Sequence, residues 1–157
     1  MMRDSWDSYF LNMANAASTR SACLRRKVGS VAVKNNRILA TGYNGPPPTI
    51  MHCAERGGCL REKLNIQSGK EINRCYAIHA EQNLIIQAAI TGVNIEGCTV
   101  YCTNQPCFLC AKLLAGIKPK RIVYSGSYPD LDTVALFTEI GEMFVNGDFI
   151  EWKFNWK

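Results

Sequence analysis

The first part of the chain shows one helical pattern of apolar residues, followed by two short strand patterns. Apolar side chains within residues 4–20 recur at the spacing of one helix face, which predicts a first helix with Asp4 or Ser5 as its N-cap. Residues 28–33 and 37–41 are β-type runs separated by a Lys-Asn-Asn turn. Asparagine tolerates positive φ, so this pattern predicts a β-hairpin.

Regular periodicity is absent from residues 42–75. This stretch contains three consecutive prolines at 46–48, a Gly57-Gly58 pair and three cysteines. A long ordered loop inside a compact domain needs something to hold it. We therefore expect a specific anchor in this segment.

The second half of the chain alternates helix and strand patterns. A helix is expected from His79 to Gly92, a suitable C′ residue, and another over 107–116 between Pro106 and Pro119. The remaining expected elements are strands over 97–103, 121–125 and 149–154 and a helix over 131–143. This order predicts a single α/β sandwich comprising residues 1–157.

Composition narrows the class of protein. The chain has 157 residues, of which 47% are hydrophobic and 20% charged, as in one soluble globular domain. No run approaches the roughly 20 apolar residues that span a bilayer, and the acidic N-terminal stretch lacks an apolar signal region. We therefore expect a cytoplasmic protein. The net charge of +5 suits an anionic partner and equally suits an ordinary basic protein.

Two short fragments carry groups that suit metal-dependent chemistry. They are His79-Ala80-Glu81 and Pro106-Cys107-Phe108-Leu109-Cys110, each at the start of a predicted helix. The thiolates of Cys107 and Cys110 project from one helical turn, and His79 completes a three-ligand set that leaves the fourth tetrahedral position of zinc for water. Helix N-termini stabilise thiolates, and a zinc-bound water loses its proton near neutral pH.

Glu81, two residues beyond the histidine, is the candidate proton carrier. Its carboxylate can take a proton from water and deliver it to a ring nitrogen and then to a leaving amine, which is hydrolytic deamination. The arrangement H-x-E…P-C-x-x-C is the signature of zinc nucleobase deaminases. A redox cysteine pair needs no H-x-E, and a structural zinc needs a fourth cysteine or histidine, so the combination favours catalysis.

The chain also resembles the deoxycytidylate (dCMP) deaminases of bacterial and phage type. The matching stretches are residues 5–10, 28–31, 41–45, 79–83, 95–101, 106–112 and 121–124. The Gly-Tyr-Asn-Gly run at 42–45 separates this family from tRNA adenosine deaminases and nucleoside cytidine deaminases. The resemblance implies a three-layer α/β/α sandwich with a central mixed sheet. It also implies zinc-dependent conversion of dCMP to dUMP and ammonia for thymidylate synthesis, with dCTP as a further substrate in phage enzymes.

The same resemblance assigns contacts to the substrate. Asn44 is expected to hydrogen-bond the sugar hydroxyl, and Tyr128 to lie near the 5′-phosphate. Arg26 and Lys27 are further candidates for the phosphate. The alternatives are that Asn44-Gly45 is simply a turn and that the two basic residues form a solvated face.

Family members are typically homohexamers that respond to nucleotides. The resemblance implies activation by dCTP and inhibition by dTTP, with Mg²⁺ accompanying the triphosphates, through a site that includes Gly42, Tyr43, Asn44 and Gly45. Three prolines follow that run in this chain, where relatives often have a looser loop of small residues. This departure concerns the allosteric response and leaves the expected chemistry intact.

Eight cysteines are an unusual number, and four of them suggest a second metal site. In a protein without a secretion signal, metal ligands or free thiols are favoured over disulfides. Four thiolates make a closed tetrahedral zinc site that would anchor the irregular segment, and some relatives carry a second zinc in this region. The predicted ligands are Cys23, Cys53, Cys59 and Cys75, with His52 as a substitute for one of them. Free thiols or a disulfide are the alternatives.

The other cysteines and the C-terminal aromatic residues have simpler interpretations. Cys98 and Cys102 on a central strand are predicted to be small buried hydrophobes. Trp152, Phe154 and Trp156 alternate near the C-terminus, where edge-strand packing or a subunit contact is favoured over base stacking.

Two other functions compete with dCMP deamination. A polynucleotide-editing deaminase of the tRNA type shares the zinc chemistry but is expected to need a basic surface track, which the sequence lacks. A zinc-stabilised nucleic-acid-binding module without catalysis would not depend on Glu81. We therefore expect a nucleotide partner, with neither nucleic acid nor membrane.

Overall fold

One mixed β-sheet organises the molecule, of which a computed structural model describes residues 2–126 and 130–157. In chain order the elements are α1 (Trp6–Ser18), β1 (Gly29–Lys34), β2 (Arg37–Tyr43), α2 (Leu60–Lys63), a 3-10 turn (Ile72–Arg74), α3 (Ala80–Thr91), β3 (Thr99–Asn104), α4 (Phe108–Gly116), β4 (Arg121–Gly126), α5 (Leu131–Thr138), β5 (Gly141–Asn146) and β6 (Phe149–Phe154). The strand order is β2-β1-β3-β4-β6-β5, with β3 and β4 parallel and the other neighbours antiparallel.

The first hairpin forms as the sequence predicts. Asn35 and Asn36 connect β1 and β2 with φ angles of 51° and 56°. Two consecutive left-handed residues give a turn whose twist matches that of the paired strands. The prediction of a hairpin at this position is therefore confirmed.

Helices cover both faces of the sheet. On one face α1 buries Phe10, Leu11 and Ala14 against a cluster that includes Val31 and Tyr101. On the other face α3, α4 and α5 pack against the alternate strand residues. This second core cluster includes Leu84, Leu114, Phe137, Val100, Ile122 and Trp152. The alternation of strand side chains thus produces the three-layer α/β/α sandwich with a mixed sheet that was predicted.

Two glycines allow helices to approach the sheet closely. A Cβ on Gly42 in β2 would lie 2.1 Å from the carbonyl oxygen of Ala80 in α3. A Cβ on Gly29 in β1 would lie 2.0 Å from the carbonyl oxygen of Ala14 in α1, on the opposite face. Each position therefore requires glycine at the observed distance between helix and strand.

The irregular segment between β2 and α3 is closed at its base. Gly45 and Ile78 exchange two backbone hydrogen bonds, of 3.1 and 2.8 Å. Arg25 holds the body of the segment by donating to the carbonyl of Ile66 and pairing with Glu62 at 3.8 Å. The end of β2 and the start of α3 are therefore neighbours in space, although the loop between them is long.

The chain after α5 differs from the sequence prediction. The helix predicted over 131–143 ends at Thr138, and residues 141–146 form β5, a strand that the apolar pattern did not reveal. A Cβ on Gly141 would lie 2.5 Å from the carbonyl oxygen of Lys153, so the chain passes tightly against β6 and pairs with it. No helix within 2–126 and 130–157 has both the length and the apolar character to cross a membrane.

The aromatic residues of β6 pack inside the protein. Trp152 is buried and makes an edge contact with Phe137, their ring centroids lying 5.5 Å apart, and Phe154 contacts the same ring at 5.1 Å. Trp156 donates from its indole nitrogen to the carbonyl of Pro119. The prediction of packing is confirmed. The predicted edge position is wrong, because β6 lies between β4 and β5.

An ion-pair network connects α1 to the sheet. Two guanidinium nitrogens of Arg121 contact the two carboxylate oxygens of Asp7 at 3.2 and 3.0 Å, and the Tyr101 hydroxyl donates to the same carboxylate at 2.7 Å. Arg121 also pairs with Glu151 of β6. Burial opposes ionisation of Asp7, but the hydrogen bonds from Arg121 and Tyr101 outweigh it and hold the pKa of this carboxyl below its usual range.

Candidate functional site

His79 is the N-cap of α3. Its backbone is extended, with φ −71° and ψ 158°, and its N–H donates to the side chain of Gln82 at 2.8 Å. Ile78, paired to Gly45, immediately precedes it. The histidine is therefore held on both sides, by the base of the irregular segment and by the first turn of α3.

Cys107 is the N-cap of α4 and is held by Asp130, a residue that the sequence analysis did not single out. One carboxylate oxygen of Asp130 accepts from the N–H of Phe108 at 2.8 Å, and the other accepts from the N–H of Thr133 at 3.1 Å. The Thr133 hydroxyl donates to the carbonyl of Pro106. Asp130 thus caps two helices at once. An aspartate immediately before a predicted helix is the signal that would have revealed it.

The three predicted metal ligands lie together. Nδ1 of His79 is 3.4 Å from Sγ of Cys107 and 3.4 Å from Sγ of Cys110. Zinc bonds of about 2.3 Å to sulfur and about 2.0–2.1 Å to nitrogen, at the tetrahedral angle, place these atoms about 3.6 Å apart. Within the described residues, this is the one group whose three ligand atoms all lie within 4.8 Å of one another. The donor set and its spacing fit zinc with one position left open.

Electrostatics favour a thiolate at this position. The hydrogen bond from Cys110, with a further contribution from His79, lowers the pKa of Cys107 well below its usual range. The pKa of the Cys110 thiol is raised, because Cys107 is the partner that ionises and burial disfavours a second charge. The hydrogen bond with Cys107 raises the pKa of His79, whereas burial and the positive charge of Arg61 oppose that rise.

Glu81 is buried in the first turn of α3, with 4% of its surface exposed. Burial raises the pKa of its carboxyl, although a backbone hydrogen bond to its own N–H and the positive charge of His79 partly oppose the rise. Glu81 lines the same cavity as His79 and Cys107. A buried carboxyl that faces the cavity beside the ligands, and is not one of them, can hold and release a proton there.

The cavity has a volume of about 150 Å³ and lies between the irregular segment and the N-termini of α3 and α4. Arg26 and Asn44 line it, and so does Gln105, which the sequence analysis did not identify. The Asn44 amide accepts from the N–H of Val28 at 2.8 Å and donates to the carbonyl of Arg26 at 2.9 Å. Asn44 therefore ties the end of β2 to the start of β1 and faces the cavity as well. Tyr128 lies outside the described residues.

The four cysteines predicted to bind a second zinc all line this cavity. Burial and the neighbouring thiols of Cys59, Cys75 and Cys23, in that order, raise the pKa of Cys53, so the four side chains influence one another. No three of the four sulfurs, all within the described residues, lie within 4.8 Å of one another. The structure brings the four cysteines to the same cavity, at spacings wider than those of a closed zinc site.

The Gly-Tyr-Asn-Gly run connects β2 to α3. Gly42 permits the close approach described above, and the carbonyl of Tyr43 accepts from the side chain of Asn83 at 2.7 Å. Gly45 forms the bridge to Ile78. These contacts hold the start of α3 in place beside β2.

Comparison with known proteins extends these observations. Residues 4–126 match the family described as the cytidine and deoxycytidylate deaminase zinc-binding region. The chain is 41% identical over 140 residues to a deoxycytidylate deaminase of Schizosaccharomyces pombe, which covers 88% of this chain and 43% of the yeast protein. It is 39% identical over 128 residues to that of Mycobacterium phage D29, covering 79% of this chain and 97% of the phage protein.

A solved structure agrees with the fold. The crystal structure of dCMP deaminase from the cyanophage S-TIM5 in complex with dCMP and dUMP has a TM-score of 0.70 and 29% sequence identity, over 88% of this chain and 94% of that one. The chain spans less than half the length of the yeast relatives, 43% and 40%, and nearly all of the D29 protein. From the sheet, the ligand cluster and these matches together, the chain belongs to the cytidine and deoxycytidylate deaminase family.

Proposed function

We propose that this protein hydrolyses dCMP to dUMP and ammonia, as a zinc-dependent enzyme of pyrimidine nucleotide metabolism. The observation that carries the proposal is the meeting of His79, Cys107 and Cys110 with the buried Glu81 at one cavity. The names of the yeast and D29 relatives, and the dCMP and dUMP held by the S-TIM5 enzyme, support this substrate. The alternative of a polynucleotide deaminase has no such support.

The three ligands have distinct roles in holding the metal. His79 offers Nδ1, Cys107 offers a sulfur that ionises easily, and Cys110 completes the set from the first turn of α4. Zinc held by these three residues would supply the acidity that lets a water lose a proton near neutral pH. The two helix N-caps orient the ligand side chains toward one point before any substrate arrives.

Glu81 moves the protons that the reaction requires. Its carboxylate accepts a proton from the attacking water and delivers it to N3 of the cytosine ring. It then carries the second proton of that water to the amino nitrogen at C4, which leaves as ammonia. The water oxygen remains at C4, so dCMP and water give dUMP and ammonia. The raised pKa of Glu81 suits a group that must both accept and donate.

Substrate contacts follow from the residues that line the cavity. Asn44 hydrogen-bonds the sugar hydroxyl through the amide positions that its two backbone contacts leave available. Arg26 contributes positive charge to the same cavity. From the family resemblance we also propose a contact between Tyr128 and the 5′-phosphate.

Ammonia release from the zinc-loaded protein tests the function. We expect rapid turnover of dCMP and much slower turnover of deoxycytidine and of a tRNA anticodon stem-loop, with dCTP measured alongside. Glu81→Gln should lower kcat by about 10²–10⁴-fold and keep its zinc. Glu96→Gln, which changes an exposed carboxylate away from the cavity, should behave as the wild type. A Glu81→Gln variant with full activity would refute the proposed role of this residue.

We also propose that Cys23, Cys53, Cys59 and Cys75 close around a second, structural zinc. The four cysteines line the same cavity, which supports the proposal, and their spacing implies that the thiols draw together when the metal binds. Cys59→Ser should then reduce the metal content from two ions per chain to about one and expose the irregular segment to protease. Cys98→Ala, a change in the core, should keep both ions. Unchanged zinc in Cys59→Ser would refute the site.

Assembly and regulation are proposed from the family resemblance. The enzyme is a cytoplasmic homohexamer that responds to dCTP and dTTP, with Mg²⁺ bound to the triphosphates, through Gly42, Tyr43, Asn44 and Gly45. Sedimentation gives the subunit number directly. Titrating dCTP with Mg²⁺ and then dTTP into a dCMP assay should activate and then inhibit. Rates that ignore both nucleotides would refute the regulation without affecting the catalytic proposal.

A further inference from the structure

The cavity beside the metal ligands has an excess of positive charge. Three arginines line it, at positions 25, 26 and 61, whereas Glu81 is its single carboxylate among the described residues. A partly enclosed cavity lined by more guanidinium groups than carboxylates suits an anionic ligand.

Arg25 and Arg61 differ in how far neighbouring groups compensate their positive charge. Arg25 is paired with Glu62 at 3.8 Å and donates to the carbonyl of Ile66, so its charge is partly compensated. Arg61 has no carboxylate partner within residues 2–126 and 130–157. It comes from α2 in the irregular segment, for which the sequence predicted a structural zinc but no contact with substrate.

The side chain of Arg61 is fixed in place but only partly satisfied. Its Nη2 donates to the carbonyls of Gln67 and Lys70, at 2.9 and 2.7 Å. Its Nε is buried and has no hydrogen-bond partner, the one such side-chain atom in the described part of the chain. A buried guanidinium nitrogen without an acceptor is costly, and it marks a position where an acceptor is missing.

Arg61 is also close enough to act on the reaction centre. Arg61 and His79 line the same cavity. A nucleotide whose ring lies at Glu81 must place its phosphate at some distance along this cavity. A guanidinium anchored by backbone carbonyls presents its remaining N–H groups with little loss of side-chain entropy.

We propose that Arg61 binds the 5′-phosphate of the nucleotide and thereby makes the enzyme select a nucleotide over a nucleoside. This inference rests on the proposed dCMP deamination and adds to it the residue that recognises the phosphate. The irregular segment then contributes to the selection of nucleotides over nucleosides. It carries into the cavity a cation that the sheet and the long helices do not supply.

The test compares dCMP with deoxycytidine, which lacks only the phosphate. Both are assayed under single-turnover conditions with zinc-loaded enzyme in excess, so that slow nucleoside turnover is measurable. Arg61→Gln should lower the ratio of kcat/KM for dCMP to that for deoxycytidine by roughly 10- to 100-fold, the effect of losing one charge-assisted hydrogen bond. Arg61→Lys, which keeps the charge without the forked geometry, should give an intermediate ratio.

Arg74→Gln is the matched control. Arg74 is exposed in the same segment, pairs with Glu71 at 3.6 Å and does not line the cavity, so the wild-type ratio should persist. If Arg61→Gln slows both substrates by the same factor, the residue only holds the loop and the inference is wrong. An unchanged ratio also refutes it. A wild-type enzyme that deaminates neither substrate would instead overturn the proposed function, and this inference with it.

Discussion

Gly42 is the point at which β2 passes closest to α3, and a methyl group there probes how strongly the site depends on that contact. A Cβ at this position would be 2.1 Å from the carbonyl oxygen of Ala80 and 2.5 Å from the backbone nitrogen of Leu84. Both atoms belong to the backbone of α3, so neither can swing aside as a side chain would. Gly42→Ala must therefore push the helix and the strand apart.

The size of the displacement follows from the contact distance. Ordinary van der Waals contact begins at 3.4 Å, so the 2.1 Å separation must grow by roughly 1.3 Å, the difference between the two. The moving helix carries His79 at its N-cap and Glu81 in its first turn. A misplacement of about 1 Å costs on the order of 100-fold in rate, and overpacking costs about 1–3 kcal/mol of unfolding free energy. We expect losses of this order in kcat/KM for dCMP and in stability.

Gly29→Ala is the control for that experiment. Its Cβ would meet the backbone of α1 at 2.0 and 2.6 Å, which is a comparable clash on the opposite face of the sheet. Because α1 carries none of the proposed catalytic residues, this variant should lose similar stability and keep most of its activity and zinc. Unfolding in urea measures the stability, ammonia release measures the activity, and the zinc bound per chain measures metal retention.

The activities of the two variants, compared with each other, test whether the contact between β2 and α3 positions the proposed catalytic groups. Equal activity in Gly42→Ala and Gly29→Ala, measured at temperatures where both are folded, would show that the contact between β2 and α3 does not position the catalytic groups. Full activity in Gly42→Ala would have the same meaning.

Three further substitutions test other parts of the structure. The lowered pKa of Asp7 means that its stabilisation is complete above the unfolded carboxyl pKa of about 3.9 and is lost as the pH falls through the lower folded value. Asp7→Asn should therefore unfold at lower urea than wild type at pH 7, with a gap that narrows below about pH 4; a constant gap would contradict this. Asp130→Ala removes the acceptor for the first turns of α4 and α5. The variant should lose zinc to a chelator more readily than the wild type, and its free energy of unfolding in urea should fall by about 1–2 kcal/mol. Phe137→Ala should cost about 3–5 kcal/mol by opening a cavity at Trp152, whereas Phe144→Ala on the edge strand, 38% exposed, should cost much less in the same assay.

The candidate metal ligands and most of the sheet could be predicted because their signals are local. His79 and Cys107 each stand immediately before an apolar helical pattern, and the two asparagines at 35 and 36 specify their own turn. Each of these features depends on residues within one turn of helix or hairpin. Sequence reasoning is accurate where the relevant interactions lie this close along the chain.

The remaining features depend on contacts between distant residues. The break between α5 and β5 is set at Gly141 by the proximity of Lys153, which no pattern near residue 141 reveals. The role proposed for Arg61 depends on a segment without periodicity that folds back against residues 25–26 and 44. Asn44 likewise gains its two backbone contacts from the start of the neighbouring strand. These features become visible only after the chain has folded.

The two hydrogen bonds between Gly45 and Ile78 have a consequence for how such enzymes can diversify. They close the irregular segment at its base, so its length and composition can change while β2 and α3 remain where they are. The groups proposed to carry out the chemistry lie within residues 79–110, beyond this closure. Exchanging residues 46–77 between relatives would therefore change substrate choice in one step and leave the reacting groups in place.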